Sequence, residues 1–467
     1  MQDTDPAFPA AGRGTALSDA EQALSACTMC GLCNAVCPTF AVSGDERESP
    51  RGRIAMMRYL IGREGVSARA STRAEAAATV RTHLDRCATC LACAPACPEN
   101  VDYAGALSAI RGYVGTTPRA ARRSRWSDLV SMHLSDPIRL RRMLRFVRWT
   151  RPLSGLFSRS SSPATDALAD RAAQVQFWDG EFRGPGTAVT SQDRKARVLL
   201  LAGCTQQVLR PTMTDAAIRL LGRRGIDVVV AAGAGCCGAI DAQLGRASLA
   251  QAHAAANLTA WAKVLASEPI DYIVTTSAAC GQRVRRYGEL FDDVLRPGSE
   301  AASLVKRVRD ITDLVSDTDI GAPVRWFSLR VGYLGSCSLR AGGAKDDTVT
   351  DLLSRSGFSV RPLKPSMACC GGIGAYPIVE PDLAQQMRTS IAADVARAGI
   401  DLLAVHDVGC LTHLANHSPA PVAHIVELLD WAHGGPTPPG LRAFNKAVRE
   451  VPKPQPRNRA DDAPTDE

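Results

Sequence analysis

The sequence predicts an α/β protein: a helical, cysteine-dense N-terminal domain followed by two tandem copies of a parallel α/β unit. Two observations carry this reading. Eight of the 16 cysteines fall in two runs of the same spacing, Cys27–Cys37 and Cys87–Cys97. The other eight recur in register: Cys204, Cys236 and Cys237 map onto Cys337, Cys369 and Cys370 with a constant offset of 133 residues, and Cys280 maps onto Cys410 with an offset of 130. A period of that length marks the duplication of a whole structural unit.

The chain divides accordingly. Residues 1–20 are polar and read as disordered. Residues 21–115 hold the first eight cysteines, and Ile54–Gly62 and Thr72–Leu84 between or beside the runs read as helices. Residues 116–195 form an Arg-rich helical linker that ends loop-rich. Residues 196–328 and 329–435 are the two repeats. The tail, 436–467, becomes rich in Pro and charge from Lys453 and reads as disordered there.

Each repeat opens with an apolar, strand-like run ending in Cys, Val198–Cys204 and Val331–Cys337. A helical segment follows (Thr212–Arg224, Lys345–Ser356), then a second strand (Asp227–Ala231, Phe358–Leu363), then a Cys-Cys-Gly triplet (Cys236–Gly238, Cys369–Gly371). After another helix, a third strand ends at Cys280 or Cys410. Strands alternating with helices predict parallel sheets, and in such sheets ligands sit outside the carboxyl ends of the strands. Each repeat therefore brings four thiols to one sheet edge: Cys204, Cys236, Cys237 and Cys280 in the first, Cys337, Cys369, Cys370 and Cys410 in the second.

Composition sets bounds. The 467 residues are 45% hydrophobic and 22% charged, so an ordinary core can form without disulfide staples. There is no apolar run of membrane-spanning length, and the polar start Met1–Ser18 is no secretory signal. Both place the protein in the cytoplasm, where thiols stay reduced and cysteines in motifs are read as ligands.

The two N-terminal runs have the spacing Cys-x2-Cys-x2-Cys-x3-Cys-Pro, which is that of bacterial ferredoxins. Three closely spaced thiolates wrap three irons of a cubane, and the fourth Cys of each run ligates the other cluster. The expected ligand sets are Cys27, Cys30, Cys33 and Cys97 for one [4Fe–4S] cluster, and Cys87, Cys90, Cys93 and Cys37 for the second. Zinc also takes paired Cys-x2-Cys ligands, but as two pairs per site rather than duplicated four-cysteine runs. The fold class is thus α/β with an N-terminal α-helical ferredoxin-like two-cluster domain. No nicotinamide or flavin fingerprint follows a strand anywhere in the chain.

The formal net charge of +8 falls to about +4 once two clusters of about −2 each are counted. What remains is local. Arg119 to Arg151 contains ten Arg against two acids, Asp128 and Asp136. Leu140, Met143, Leu144 and Val147 recur there at helical spacing. Three readings stand: a helix on an anionic membrane surface, a docking surface for an acidic partner, or an amphipathic helix packed on its own protein with its Arg in solvent. No recognition motif accompanies the charge, so no nucleic acid is expected.

The two ferredoxin runs, Ser49-Pro50-Arg51-Gly52-Arg53-Ile54, Cys97-Pro98-Glu99-Asn100-Val101, the Cys-Cys-Gly repeats and Asp407-Val408-Gly409-Cys410-Leu411-Thr412-His413-Leu414 together resemble the iron–sulfur subunits of glycolate oxidase. The resemblance covers about residues 21–435 and extends to subunits serving D-lactate and glycerol 3-phosphate oxidation and to heterodisulfide reductase. It implies an electron-transfer subunit of a 2-hydroxy-acid dehydrogenase complex. An FAD-bearing flavoprotein partner would oxidise glycolate to glyoxylate, and this chain would pass electrons toward a quinone-type acceptor, in the cytoplasm or peripherally on the inner face of the membrane. It implies no catalytic residue in this chain. Heterodisulfide-reductase-like members end the repeat in Cys-x2-Cys with five cysteines. Here the repeats end Cys280-Gly281-Gln282-Arg283 and Cys410-Leu411-Thr412-His413, which weakens the case for a noncubane cluster and for a catalytic reductase. Four thiols per repeat still suffice for a further cluster or a zinc, and the alternative is packed or redox-active thiols. His413 reads either as an extra ligand or as a hydrogen-bonded neighbour of the site.

Overall fold

The computed structural model describes residues 11–62, 70–115, 121–157, 188–189, 194–290, 300–318, 321–343 and 346–442. The sequence expectations for residues 1–10, for the loop-rich part of the linker (158–187) and for the tail from Lys453 lie outside these residues.

The N-terminal domain is built on four helices, Ala11–Ser25, Pro50–Gly62, Ala70–Asp85 and Tyr103–Gly115. They close over Leu24, Met57, Leu84, Leu107 and Ile110, all buried. The first helix corrects one expectation: residues 11–20 are helical rather than disordered. Leu17, Ala20 and Leu24 fall on one helical face. Ala20 and Leu24 are buried with Leu107 and Ile110 of the last helix, and this burial outweighs a polar composition. The two cysteine runs are loops that follow the first and third of these helices. Pro38 opens the short helix Pro38–Ser43, a position that needs no backbone N–H.

Gly52 shows how tightly the domain closes. A Cβ there would lie 2.0 Å from the Glu46 carbonyl oxygen and 3.2 Å from Arg47 Cα, both backbone atoms. Gly52→Ala is expected to destabilise the domain by about 1–3 kcal/mol, the usual cost of overpacking. The check is a denaturation curve followed by circular dichroism, and an unchanged midpoint would mean that the contact is slack.

Each repeat forms a parallel sheet, as expected. In the first, β2 (Ala196–Leu201), β3 (Ile226–Val229), β4 (Tyr272–Thr275) and β5 (Val308–Asp310) pair in the order β3-β2-β4-β5, and a short antiparallel β1 (Ala188–Val189) edges β3. In the second, β6 (Arg330–Leu334), β7 (Ser359–Pro362), β8 (Leu402–Val405) and β9 (Val422–His424) pair in the order β7-β6-β8-β9. The two topologies match strand for strand. Each repeat gains a fourth strand, β5 or β9, beyond the three that the sequence showed. β2 and β6 stop before the cysteines that follow them.

The two repeats share one core. Val198, Leu220 and Ile311 of the first pack in the same buried cluster as Val331, Leu402, Leu429 and Trp431 of the second. Helix Thr212–Gly222 lies on helix Ile425–Ala432. Ion pairs on the buried acids Glu427 and Asp430 cross the seam: Arg210 Nε to Glu427 Oε1 at 3.1 Å, Arg223 Nη1 to Asp430 Oδ1 at 2.7 Å, and Arg219 to the same Asp430.

The Arg-rich segment folds as two helices, Ala121–Leu134 and Pro137–Phe157. Leu140 and Leu144 are buried against Val208, Leu209 and Val395, with Met143 and Val147 half-buried beside them. The apolar face thus packs on the protein's own repeats, while Arg139, Arg141 and Arg142 are exposed. Among the described residues no helix is long and apolar enough to cross a membrane.

Candidate metal centres

The two ferredoxin loops have the same backbone trick. Met29 and Gly31 in the first (φ 59° and 84°) and Thr89 and Leu91 in the second (φ 56° and 55°) adopt the left-handed conformation at equivalent positions. Outside glycine this costs roughly 1–2 kcal/mol per residue, and such strain concentrates where a site requires it. The left-handed turns curl each loop back toward its own first cysteine. Backbone N–H groups point the same way: Met29 N donates to Cys27 Sγ and Thr89 N to Cys87 Sγ, each at 3.4 Å.

Cys33 is pushed up by burial and, next, by the neighbouring thiolates of Cys27, Cys30 and Cys97. Cys93 is pushed up by burial and then by Cys90, Cys87 and Cys37, with Cys33 beyond them. The thiols that act on Cys33 thus include Cys97 of the second run, and those that act on Cys93 include Cys37 of the first, in keeping with the expected ligand sets. Thiols that raise one another's pKa become stable thiolates only against positive charge, which metal ions supply. An all-thiol donor set in two groups of four, with backbone donors aimed at sulfur, fits two [4Fe–4S] clusters.

The groups differ in setting. Cys30 is exposed, whereas Cys37 and Cys90 are buried. Behind Cys37 lies a buried polar network that sequence spacing did not reveal. Thr39 Oγ1 lies 3.2 Å from Cys37 Sγ and donates to the Glu48 carbonyl at 2.9 Å. Arg53 donates to Thr39 Oγ1 at 3.0 Å, to the His83 carbonyl at 2.8 Å and to Glu48 Oε2 at 2.7 Å. Both Arg53 and Glu48 are fully buried. Burial opposes the Arg53 charge, but Cys87, Tyr103, Cys37 and Glu48 outweigh it and hold the guanidinium protonated. Tyr103 Oη adds a contact to Cys87 Sγ at 3.6 Å.

In the repeats, strand order explains how the thiols meet. The chain reverses direction across the sheet between β2 and β4, and again between β6 and β8, which is where parallel sheets bind ligands. Cys204 and Cys337 follow β2 and β6. Cys280 and Cys410 lie in the first turns of the helices after β4 and β8. Cys204 Sγ is 3.4 Å from Cys236 Sγ, and Cys237 Sγ is 3.3 Å from Cys280 Sγ. The second repeat gives 3.8 Å for Cys337–Cys369 and 3.2 Å for Cys370–Cys410. All four predicted thiols of each repeat are thus drawn together. Hydrogen bonds from Cys236 and Cys280 hold the Cys237 thiol well below its ordinary range, and Cys369 and Cys410 do the same for Cys370.

The triplet glycine is required twice over. Gly238 and Gly371 have φ of 80° and 82°. A Cβ on Gly238 would lie 2.8 Å from the Ala250 carbonyl oxygen, and one on Gly371 would lie 3.0 Å from Ala384. His413 stands beside Cys370, where its charge lowers that thiol, while its Nε2 is 3.1 Å from the Ala384 carbonyl oxygen. That is the arrangement of a hydrogen-bonded neighbour rather than of a fifth donor.

Two features were not visible in the sequence. Asp241 and His253 bring a carboxylate and an imidazole within 4.8 Å of the Cys236 thiol, whereas the second repeat has Gly374 at the position matching Asp241. Their offsets from the triplet match no ligand motif. In addition, the second ferredoxin loop docks on the second repeat. Cys90 is buried with Cys337 and Cys369 and hydrogen-bonds Cys369, which lowers the Cys90 thiol. Tyr376 Oη donates to the Arg86 carbonyl at 2.9 Å, and Arg111 Nη1 donates to the Gln243 carbonyl at 2.6 Å. A cavity of about 1470 Å³ connects these parts and is lined by Thr89, Arg111, Cys204, Cys280, Cys337 and Cys410, among others.

Comparison with known proteins agrees with this anatomy. Residues 23–101 match the 4Fe-4S dicluster domain, and residues 198–285 and 331–415 each match the cysteine-rich domain. The glycolate oxidase iron-sulfur subunit of Escherichia coli (strain K12) is 28% identical over 419 residues, covering 89% of this chain and 95% of that protein. A probable glycolate oxidase iron-sulfur subunit of Bacillus subtilis (strain 168) is 26% identical over 407 residues, covering 83% and 87%. Lactate utilization protein A of an Exiguobacterium species is 28% identical over 245 residues, which is 50% of this chain and 96% of that protein.

Proposed function

We propose that this chain, a homologue of glycolate oxidase iron–sulfur subunits, is the electron-transfer subunit of a glycolate dehydrogenase complex. The observation that carries the proposal is the set of eight free thiols on two loops of one domain. Cys27, Cys30, Cys33 and Cys97 would hold one [4Fe–4S] cluster, and Cys87, Cys90, Cys93 and Cys37 the other. Such clusters accept and release single electrons, which a flavin oxidising a 2-hydroxy acid must shed. The protein's part is positional. Exposed Cys30 brings the first group to the surface, where a partner can reach it, and Cys90 brings the second against the thiols of the second repeat. Glycolate oxidation to glyoxylate falls to an FAD-bearing partner. The acceptor is of quinone type, and the chain works at the cytoplasmic side. Four thiols in each repeat offer a further cluster or a zinc.

D-lactate is the second reading. It is favoured by the match to lactate utilization protein A, although that match spans only half of this chain. An anaerobic pull-down of the chain from its own cell separates the two. A co-purifying flavoprotein whose flavin and cluster absorbance bleaches with glycolate is the expected result. Bleaching by D-lactate and not glycolate would transfer the assignment. A brown chain that comes down alone, and that no hydroxy acid reduces, would remove both readings and leave the clusters.

A further inference from the structure

The helix Pro137–Phe157 carries apolar side chains on two faces, one buried and one largely exposed. Leu140, Met143, Leu144 and Val147 pack inward. On the opposite side Ile138, Phe146 and Trp149 are 65%, 63% and 72% exposed. Large exposed apolar residues are few among the described residues: nine in all, of which five (Leu129, Met132, Ile138, Phe146 and Trp149) fall between positions 129 and 149. Scattered single exposures are ordinary, but a cluster of this kind marks an interaction site.

At 100° per residue, Ile138, Phe146 and Trp149 form one outward stripe. Exposed Arg142 lies within it, and exposed Arg139 and Arg141 lie on its two flanks. The stretch 137–157 contains no acidic residue. An apolar stripe with Trp and Phe, bordered on both sides by guanidinium groups, suits the boundary between lipid headgroups and acyl chains. The rings enter the apolar layer, and the long Arg side chains reach up to anionic headgroups. The stripe runs along one face of a single 21-residue helix, a layout that suits a planar lipid surface.

We propose that the outward face of Pro137–Phe157, extended by Leu129 and Met132 of the preceding helix, is a docking surface for an anionic lipid bilayer. It holds the chain flat on the membrane without spanning it. Such a contact brings the electron-transfer domain to a lipid-soluble acceptor. It stands apart from the cluster assignment, because neither cluster nor flavoprotein partner takes part in it.

The test is vesicle co-sedimentation of the holoprotein, with phosphatidylcholine alone and with phosphatidylcholine containing phosphatidylglycerol. Binding to the anionic vesicles, weak binding to the neutral ones and loss in high salt are expected. Each Arg near an anionic surface contributes about 1 kcal/mol. The triple variant Arg139→Gln, Arg141→Gln, Arg142→Gln should therefore bind on the order of a hundredfold more weakly. The variant Ile138→Ser, Phe146→Ser, Trp149→Ser should also lose binding while its visible spectrum and iron content stay unchanged. Four outcomes would overturn the proposal: no binding to anionic vesicles at low salt, equal binding to both vesicle types, undiminished binding by the apolar variant, or an acidic protein that takes this face while vesicles do not. Unchanged iron in both variants separates this failure from failure of the cluster assignment.

Discussion

Cys93→Ser is expected to cut the iron held by the ferredoxin domain from about eight atoms to about four. Cys93 lies among Cys90, Cys87 and Cys37, so removing its thiolate strips the buried group of one of its four donors. The group of Cys27, Cys30, Cys33 and Cys97 keeps its set. Iron and acid-labile sulfide should fall together, and one of two electron paramagnetic resonance signals of the reduced protein should vanish. Because each expected ligand set takes the fourth cysteine of the other run, Cys37→Ser should remove the same signal as Cys93→Ser, and Cys97→Ser the other. If Cys37→Ser and Cys33→Ser removed one and the same signal, each run would serve its own cluster and the interleaved assignment would fail.

Arg53→Met should be among the most damaging single changes outside the cysteines. The guanidinium is the centre of a network that joins the helix Pro50–Gly62 to Glu48, to the His83 carbonyl and, through Thr39, to the neighbourhood of Cys37. Its removal leaves a fully buried carboxylate with only His83 and Arg86 for partners. Breaking a buried pair by deleting one member costs about 3–5 kcal/mol. The expected result is a fall of that size in the stability of the N-terminal domain by chemical denaturation, with earlier loss of visible absorbance. Arg53→Lys keeps the charge but not the three-way fork, so it should recover part of the loss. A loss below roughly 1 kcal/mol in Arg53→Met would place the pair in the class of solvent-screened ion pairs and contradict its burial.

What the sequence made legible is the part encoded by short-range pattern. The ferredoxin spacing, the 133-residue register and the strand-like runs before Cys204 and Cys337 all operate within a few residues or through exact repetition. The missed parts depend on distant partners. Helix Ala11–Ser25 is weakly patterned alone and is fixed by Tyr103–Gly115. β5 and β9, three residues each, are too short to show a period and exist because β4 and β8 offer them an edge. The Arg53–Glu48–His83 network joins positions 35 residues apart, and the Cys90–Cys369 contact joins two domains. The Arg-rich helix was legible as amphipathic, but the inward stripe alone was seen. The outward one emerged only when burial separated Leu140 from Ile138.

The clasp between the second ferredoxin loop and the repeats has a consequence for how the subunit can operate. Tyr376 of the second repeat and Gln243 of the first hold the Arg86 and Ala88 carbonyls of that loop, and Arg111 of the N-terminal domain donates back to the Gln243 carbonyl. A domain on a long linker can act as a tethered shuttle, swinging its cargo between a donor and a distant acceptor. Fastened at these three points, the domain has no free arc to travel. On the proposed function, donor and acceptor would therefore both come to a fixed domain, and a variant that frees the loop would change the route rather than the clusters.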